Sequence, residues 1–139
     1  MPRTRVETRA RARVLQALYA WDLRHEQQLE RVATQIWDDL SVPPEERRIA
    51  ALLVRTLAQH GRVLDGELAD VTTNWRLERL SVIDRSVLRL AAAELQRGET
   101  PPRVVIQEAV RLAERYGTVR SAKFVNGVLD ALARRMGRM

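Results

Sequence analysis

The sequence predicts an all-α fold, a compact bundle of about seven helices, and three observations carry that prediction. Apolar residues recur at helical spacing from end to end. No segment alternates as a half-buried strand does, and the glycine and proline clusters fall between periodic segments. The sharpest test is K-F-V-N-G-V-L-D at residues 123–130, because Asn-Gly between apolar pairs is a strong hairpin signal. Phe124, Val125, Val128, Leu129 and Leu132 nevertheless close into one helical face at about 100° per residue. The segment therefore reads as a helix that tolerates a glycine, at a cost of roughly 1 kcal/mol against alanine.

The elements follow in order. Thr4 with Glu7 forms a capping box that opens a first helix running to about His25. Leu29, Val32, Ala33, Ile36, Trp37 and Leu40 define a second, stopped before Ser41-Val42-Pro43-Pro44. From Glu45 the set Ile49, Leu52, Leu53, Thr56, Leu57, Val63, Leu64 and Leu68 describes a long third helix to about Asp70, weakened by Gly61 and Gly66. Residues 71–75 connect it to a short helical turn near Arg76 to Leu80. Ser81 with Asp84 caps the next helix, which ends at Gly98. After Pro101-Pro102 another helix ends at Gly117, and the last begins near Ser121 and frays into an arginine tail. The core is expected to be leucine, valine and alanine, since the chain has only three Trp, two Tyr and one Phe.

At 139 residues, with no linker long enough to part independent domains, the chain reads as a single domain over 1–139. It has no cysteine, so a disulfide framework and any cysteine-ligated metal are excluded. His25 and His60 lack ligand spacing, and neither phosphate-binding glycine loop occurs. No cofactor, no metal and no enzymatic activity are expected. Asp38-Asp39 and Glu45-Glu46 read as surface or helix-end acids. No apolar run is long enough for a membrane span, and the basic start lacks a signal peptide's apolar stretch, so a cytoplasmic protein is expected.

The net charge of +6 is unevenly spread: residues 1–13 carry +4, residues 134–139 carry +3, and the rest −1. Basicity concentrated at the two ends suggests a polyanion site. Of the 24 basic residues 23 are arginine, a bias that a GC-rich genome also produces, so arginine identity alone decides nothing. On a helical wheel Arg5, Arg9, Arg13, Gln16 and Tyr19 share one polar stripe, while Val6, Ala10, Val14, Ala17, Leu18 and Trp21 face the core. Arginines beside an aromatic and an amide suit single-stranded RNA, whose phosphates take guanidinium groups and whose bases stack. A merely solvated charged face fits the wheel equally well. On the last helix Lys123, Asn126 and Asp130 lie opposite the apolar stripe, with Gly127 beside them. Gly127 admits either a ligand backbone or a neighbouring helix, and Phe124 reads more readily as core than as a stacking platform. Arg134, Arg135 and Arg138 read as a solubilising end.

R-A-R-A-R-V-L-Q-A-L-Y-A-W-D-L (9–23), S-V-L-R-L-A-A-A-E-L (86–95) and V-I-Q-E-A-V-R-L-A-E-R-Y-G (105–117) followed by K-F-V-N-G-V-L-D resemble the NusB family of bacterial transcription antitermination factors. The likeness covers nearly the whole chain in order and is weakest from about 26 to 75. It implies two helical sub-bundles, an N-terminal half of about 1–72 and a C-terminal half of about 73–139. It also implies binding to the boxA RNA of ribosomal RNA leader transcripts together with NusE, a small-subunit ribosomal protein, in support of read-through by RNA polymerase with other Nus factors. By position, the resemblance makes Arg5, Arg9, Arg11, Arg13, Tyr19, Lys123, Phe124 and Asn126 RNA-binding and puts Asp84 at the NusE face. Gln16 joins the RNA set from the wheel. Arg120 stands where the family often has an acid, which implies stronger phosphate attraction there. The family implies either a monomer or a homodimer.

Two other readings compete. One is a structural module that binds proteins and ignores RNA. The other is a fragment of an enzyme, because similar domains precede ribosomal RNA cytosine methyltransferases; these residues supply no cofactor-binding α/β domain.

Overall fold

Six α-helices and one 3-10 turn form the secondary structure of the described residues, 5–24, 27–72 and 76–139, in a computed structural model of the chain. They are α1 (Arg5–Leu23), α2 (Leu29–Asp39), α3 (Pro44–Val71), the 3-10 turn (Leu77–Arg79), α4 (Val82–Arg97), α5 (Pro102–Tyr116) and α6 (Ser121–Arg135). The all-α class holds, and the expected short helix near Arg76 to Leu80 is the 3-10 turn. The capping box assigned to Thr4 and the helix end assigned to His25 lie outside the described residues, as do positions 73–75 of the connector.

Local chemistry accounts for the boundaries. Ser81 accepts a hydrogen bond from the Asp84 amide at 3.2 Å and so caps α4, which ends where Gly98 turns left-handed at φ 71°. α2 ends in a Schellman motif: the Val42 amide donates to the Trp37 carbonyl at 3.0 Å and the Ser41 amide to the Asp38 carbonyl at 3.1 Å. Ser41 takes the left-handed position, φ 53°, that glycine usually fills. Pro44 and Pro102 occupy the first turns of α3 and α5, where a missing N–H costs nothing. The expected fraying of α6 is corrected here. Gly137 at φ 72° closes a second Schellman motif, the Arg138 amide donating to Ala133 at 2.8 Å and the Gly137 amide to Arg134 at 3.0 Å.

The chain divides into residues 1–59 and 60–139, a boundary inside α3, where the sequence reading put it at about 72. In the first unit α1 packs on α2. Ala10, Val14, Leu18, Val32, Ala33 and Trp37 are buried there, and the Trp37 indole N–H donates to the Arg13 carbonyl at 3.1 Å, so its one polar atom is satisfied.

In the second unit α4, α5 and α6 pack on one another. α4 is its most deeply buried helix, with Ser86, Val87, Leu88 and every residue from Leu90 to Leu95 buried. The Ala91-Ala92-Ala93 run allows close approach of its neighbours. Arg89 holds Asp65 of α3 in a two-pronged pair, Nε to Oδ1 at 3.0 Å and Nη2 to Oδ2 at 3.1 Å. Between α5 and α6 the Thr118 amide donates to Ser121 Oγ at 2.9 Å while the Ser121 amide donates to the Thr118 carbonyl at 3.1 Å, which pins the turn.

Candidate nucleic-acid interface

The first surface lies on α1. Arg9, Gln16 and Tyr19 are exposed, Tyr19 at 43%. Arg13 is partly covered, and its Nη1 donates to Gln16 Oε1 at 3.3 Å. Arg5 begins the helix, but its side chain lies outside the described part. Arg11 departs from expectation: it is 4% exposed and engaged within the chain, so its guanidinium is not offered to a ligand. The reason is geometric, since Arg11 falls on the wheel beyond the core stripe on the side of Leu15, which is also buried.

A second departure explains how the exposed arginines are held. Glu46, read from sequence as a surface or helix-end acid, is buried at 4%. Its Oε2 accepts from Arg9 Nε at 2.9 Å and its Oε1 from Arg13 Nε at 3.0 Å. One carboxylate thus serves two guanidinium groups, and the trio keeps a net charge of +1. A buried carboxylate is tolerable only when so paired, and its place in the first turn of α3 adds a favourable helix-end field. Nothing in the local pattern distinguishes Glu46 from its exposed neighbour Glu45.

The second surface lies on the loop before α6 and on the helix itself. Arg120, Lys123, Asn126 and Gly127 are exposed, and Phe124 is partly exposed rather than core. Among the described residues a Cβ added at Gly127 would meet nothing within 4 Å, so the glycine is not spent on helix packing inside the chain. Asp130, on the same polar side, is occupied by Arg134 at 3.0 Å. Sequence reasoning passed over Tyr116, which is exposed with Arg115 Cζ at 5.5 Å from its ring centre, and Val119, which is 99% exposed. An aromatic in a helix's last turn beside an arginine was the available signal.

Asp84 stands in the first turn of α4, with its Oδ1 buried and without a hydrogen-bond partner among the described residues. Among those residues no group of three or more His, Asp or Glu side chains is arranged to hold a metal ion, and no helix is long and apolar enough to cross a membrane.

Comparison with known proteins points one way. The family model described as the NusB family matches residues 8–134. The transcription antitermination protein NusB of Anaeromyxobacter dehalogenans (strain 2CP-1) is 47% identical over 129 residues, 91% of this chain and 89% of that protein. Among solved structures, T. maritima NusB superposes with a TM-score of 0.86 at 36% identity, covering 92% of this chain and 90% of the other. A crystal structure of antitermination factors NusB and NusE in complex with dsRNA matches with a TM-score of 0.86 at 28% identity, covering 96% and 99%. The chain belongs to the NusB family.

Proposed function

We propose that this protein is a transcription antitermination factor that binds boxA RNA of ribosomal RNA leaders together with NusE, acts in the cytoplasm on the RNA polymerase elongation complex with other Nus factors, and catalyses no reaction. The observation that carries the RNA-binding part is the pair Arg9 and Arg13 on α1, held by one buried carboxylate and left with a net positive charge beside exposed Gln16 and Tyr19. Guanidinium groups suit phosphates, and the tyrosine ring suits a base. Lys123, Phe124, Asn126 and Arg120 supply a second set of contacts of the same chemistry. Arg5 belongs with the first set on sequence grounds, whereas Arg11 is buried and left out of it. Asp84, in the first turn of α4, is assigned to the protein partner by its matching position in the family.

The test is a gel-shift titration of boxA RNA with and without NusE at two salt concentrations, comparing the wild type with Arg9→Ala/Arg13→Ala. Weaker binding is expected, with a log-log salt slope smaller by about 0.7 for each lost phosphate contact. Unchanged affinity and slope would remove α1 from the RNA site. RNA that neither binds nor strengthens NusE binding would leave a protein-interaction module instead.

A further inference from the structure

Glu46 has no role in the reading above beyond neutralising charge, yet its geometry does more than that. It takes each arginine through Nε, one carboxylate oxygen to each, at 2.9 Å and 3.0 Å. A guanidinium carries five N–H donors in a rigid plane, so a partner at Nε fixes the plane and leaves Nη donors for a second ligand. The Arg9 side chain is 53% exposed and that of Arg13 24%, whereas that of Glu46 is 5%. The acid is the fixed element and the arginines are the presented ones. Glu46 is buried while both arginines reach solvent, so a phosphate can meet them without displacing it.

We infer that Glu46 is a positioning residue for RNA binding: it orders Arg9 and Arg13 with their Nη edges turned outward, so that a phosphodiester meets two guanidinium groups already in place. Ordering long side chains before binding removes an entropy cost from the binding step. The opposing effect, repulsion of phosphate by the buried carboxylate, is outweighed because two cations pair with that one carboxylate and the trio stays net positive. This inference rests on the arginine-row reading of the RNA site.

The experiment is a double-mutant cycle on boxA RNA affinity, with thermal melts of each protein: wild type, Glu46→Gln, Arg9→Ala/Arg13→Ala, and the triple variant. Glu46→Gln keeps the shape but can accept from only one arginine through its single carbonyl oxygen. The expected result is a loss of affinity of about threefold to tenfold, of the order of one charge-assisted contact, with no further loss when the change is made in the Arg9→Ala/Arg13→Ala background. The melts give a second signature, because Glu46→Gln in that background removes an uncompensated buried charge and should raise the melting temperature. Tighter or unchanged RNA binding by Glu46→Gln overturns the inference. So does an equal loss in both backgrounds, which is what a general structural role produces. Full RNA affinity in Arg9→Ala/Arg13→Ala refutes the arginine-row reading itself and is a separate outcome. Should Glu46→Gln not fold, Glu46→Asp in the same cycle withdraws the charge by one methylene, and the same non-additivity with a smaller loss is expected.

Discussion

The α1 and α6 surfaces present basic groups in opposite ways. On α1 the arginines are tied to a buried carboxylate that belongs to another helix, and their freedom is already spent before any ligand arrives. On α6 Lys123 and Asn126 stand out from a helix beside a glycine whose missing side chain leaves open space. The first surface is built by electrostatic ordering and the second by steric clearance. A polyanion site can use either, but the two respond to mutation with opposite sign: removing the cations of the first leaves a buried carboxylate unpaired and destabilises the fold, whereas filling the space of the second favours the helix.

That contrast is broken most forcefully by Arg9→Ala/Arg13→Ala, which strips both partners from Glu46. Leaving a buried carboxylate uncompensated should cost about 3 kcal/mol in urea unfolding; a variant as stable as the wild type would show that Glu46 finds other partners. Next in size is Gly117→Ala, just before α6. A Cβ there would lie 2.7 Å from Ser121 Cβ and 2.8 Å from the Ala113 carbonyl oxygen, so backbone must shift. A loss of about 2 kcal/mol is expected in the same measurement. Gly127→Ala has the opposite sign. With nothing within 4 Å of the new methyl group, the helix should gain about 1 kcal/mol, while boxA RNA binding weakens because the clearance is filled. A more stable protein with undiminished RNA affinity would show that no ligand uses the opening. Smallest is Lys123→Ala, whose stability should stay within about 0.5 kcal/mol of wild type. Its RNA salt slope should fall by about 0.7 if it meets one phosphate.

Periodicity and punctuation made most of the fold legible. Ser81, Gly98, Pro44 and Pro102 stand where helix ends need them, and Phe124 to Leu132 declared a helix despite the Asn-Gly pair. The failures share a cause. Arg11 and Glu46 are charged residues that the fold buries, and for Glu46 the burial depends on partners distant in sequence, which no local window contains. Arg13 and Glu46 are 33 residues apart, and Trp37 reaches the Arg13 carbonyl across 24. Ser41 shows the same limit in the backbone. It takes the left-handed position that closes α2, with buried Val42 next in the chain, although serine has no preference for that conformation.

By itself, then, the order of amino acids determined the all-helical class, the element boundaries to within a few residues, the concentration of positive charge near the chain ends and the resemblance that led to the family. These are properties of neighbours along the chain, set by the helical repeat, by capping groups and by net charge. Tertiary structure alone decided which charges are free. A carboxylate reaching two arginines from another helix converts a charged stripe into an ordered one, and only packing determines whether the space above a glycine is filled or open.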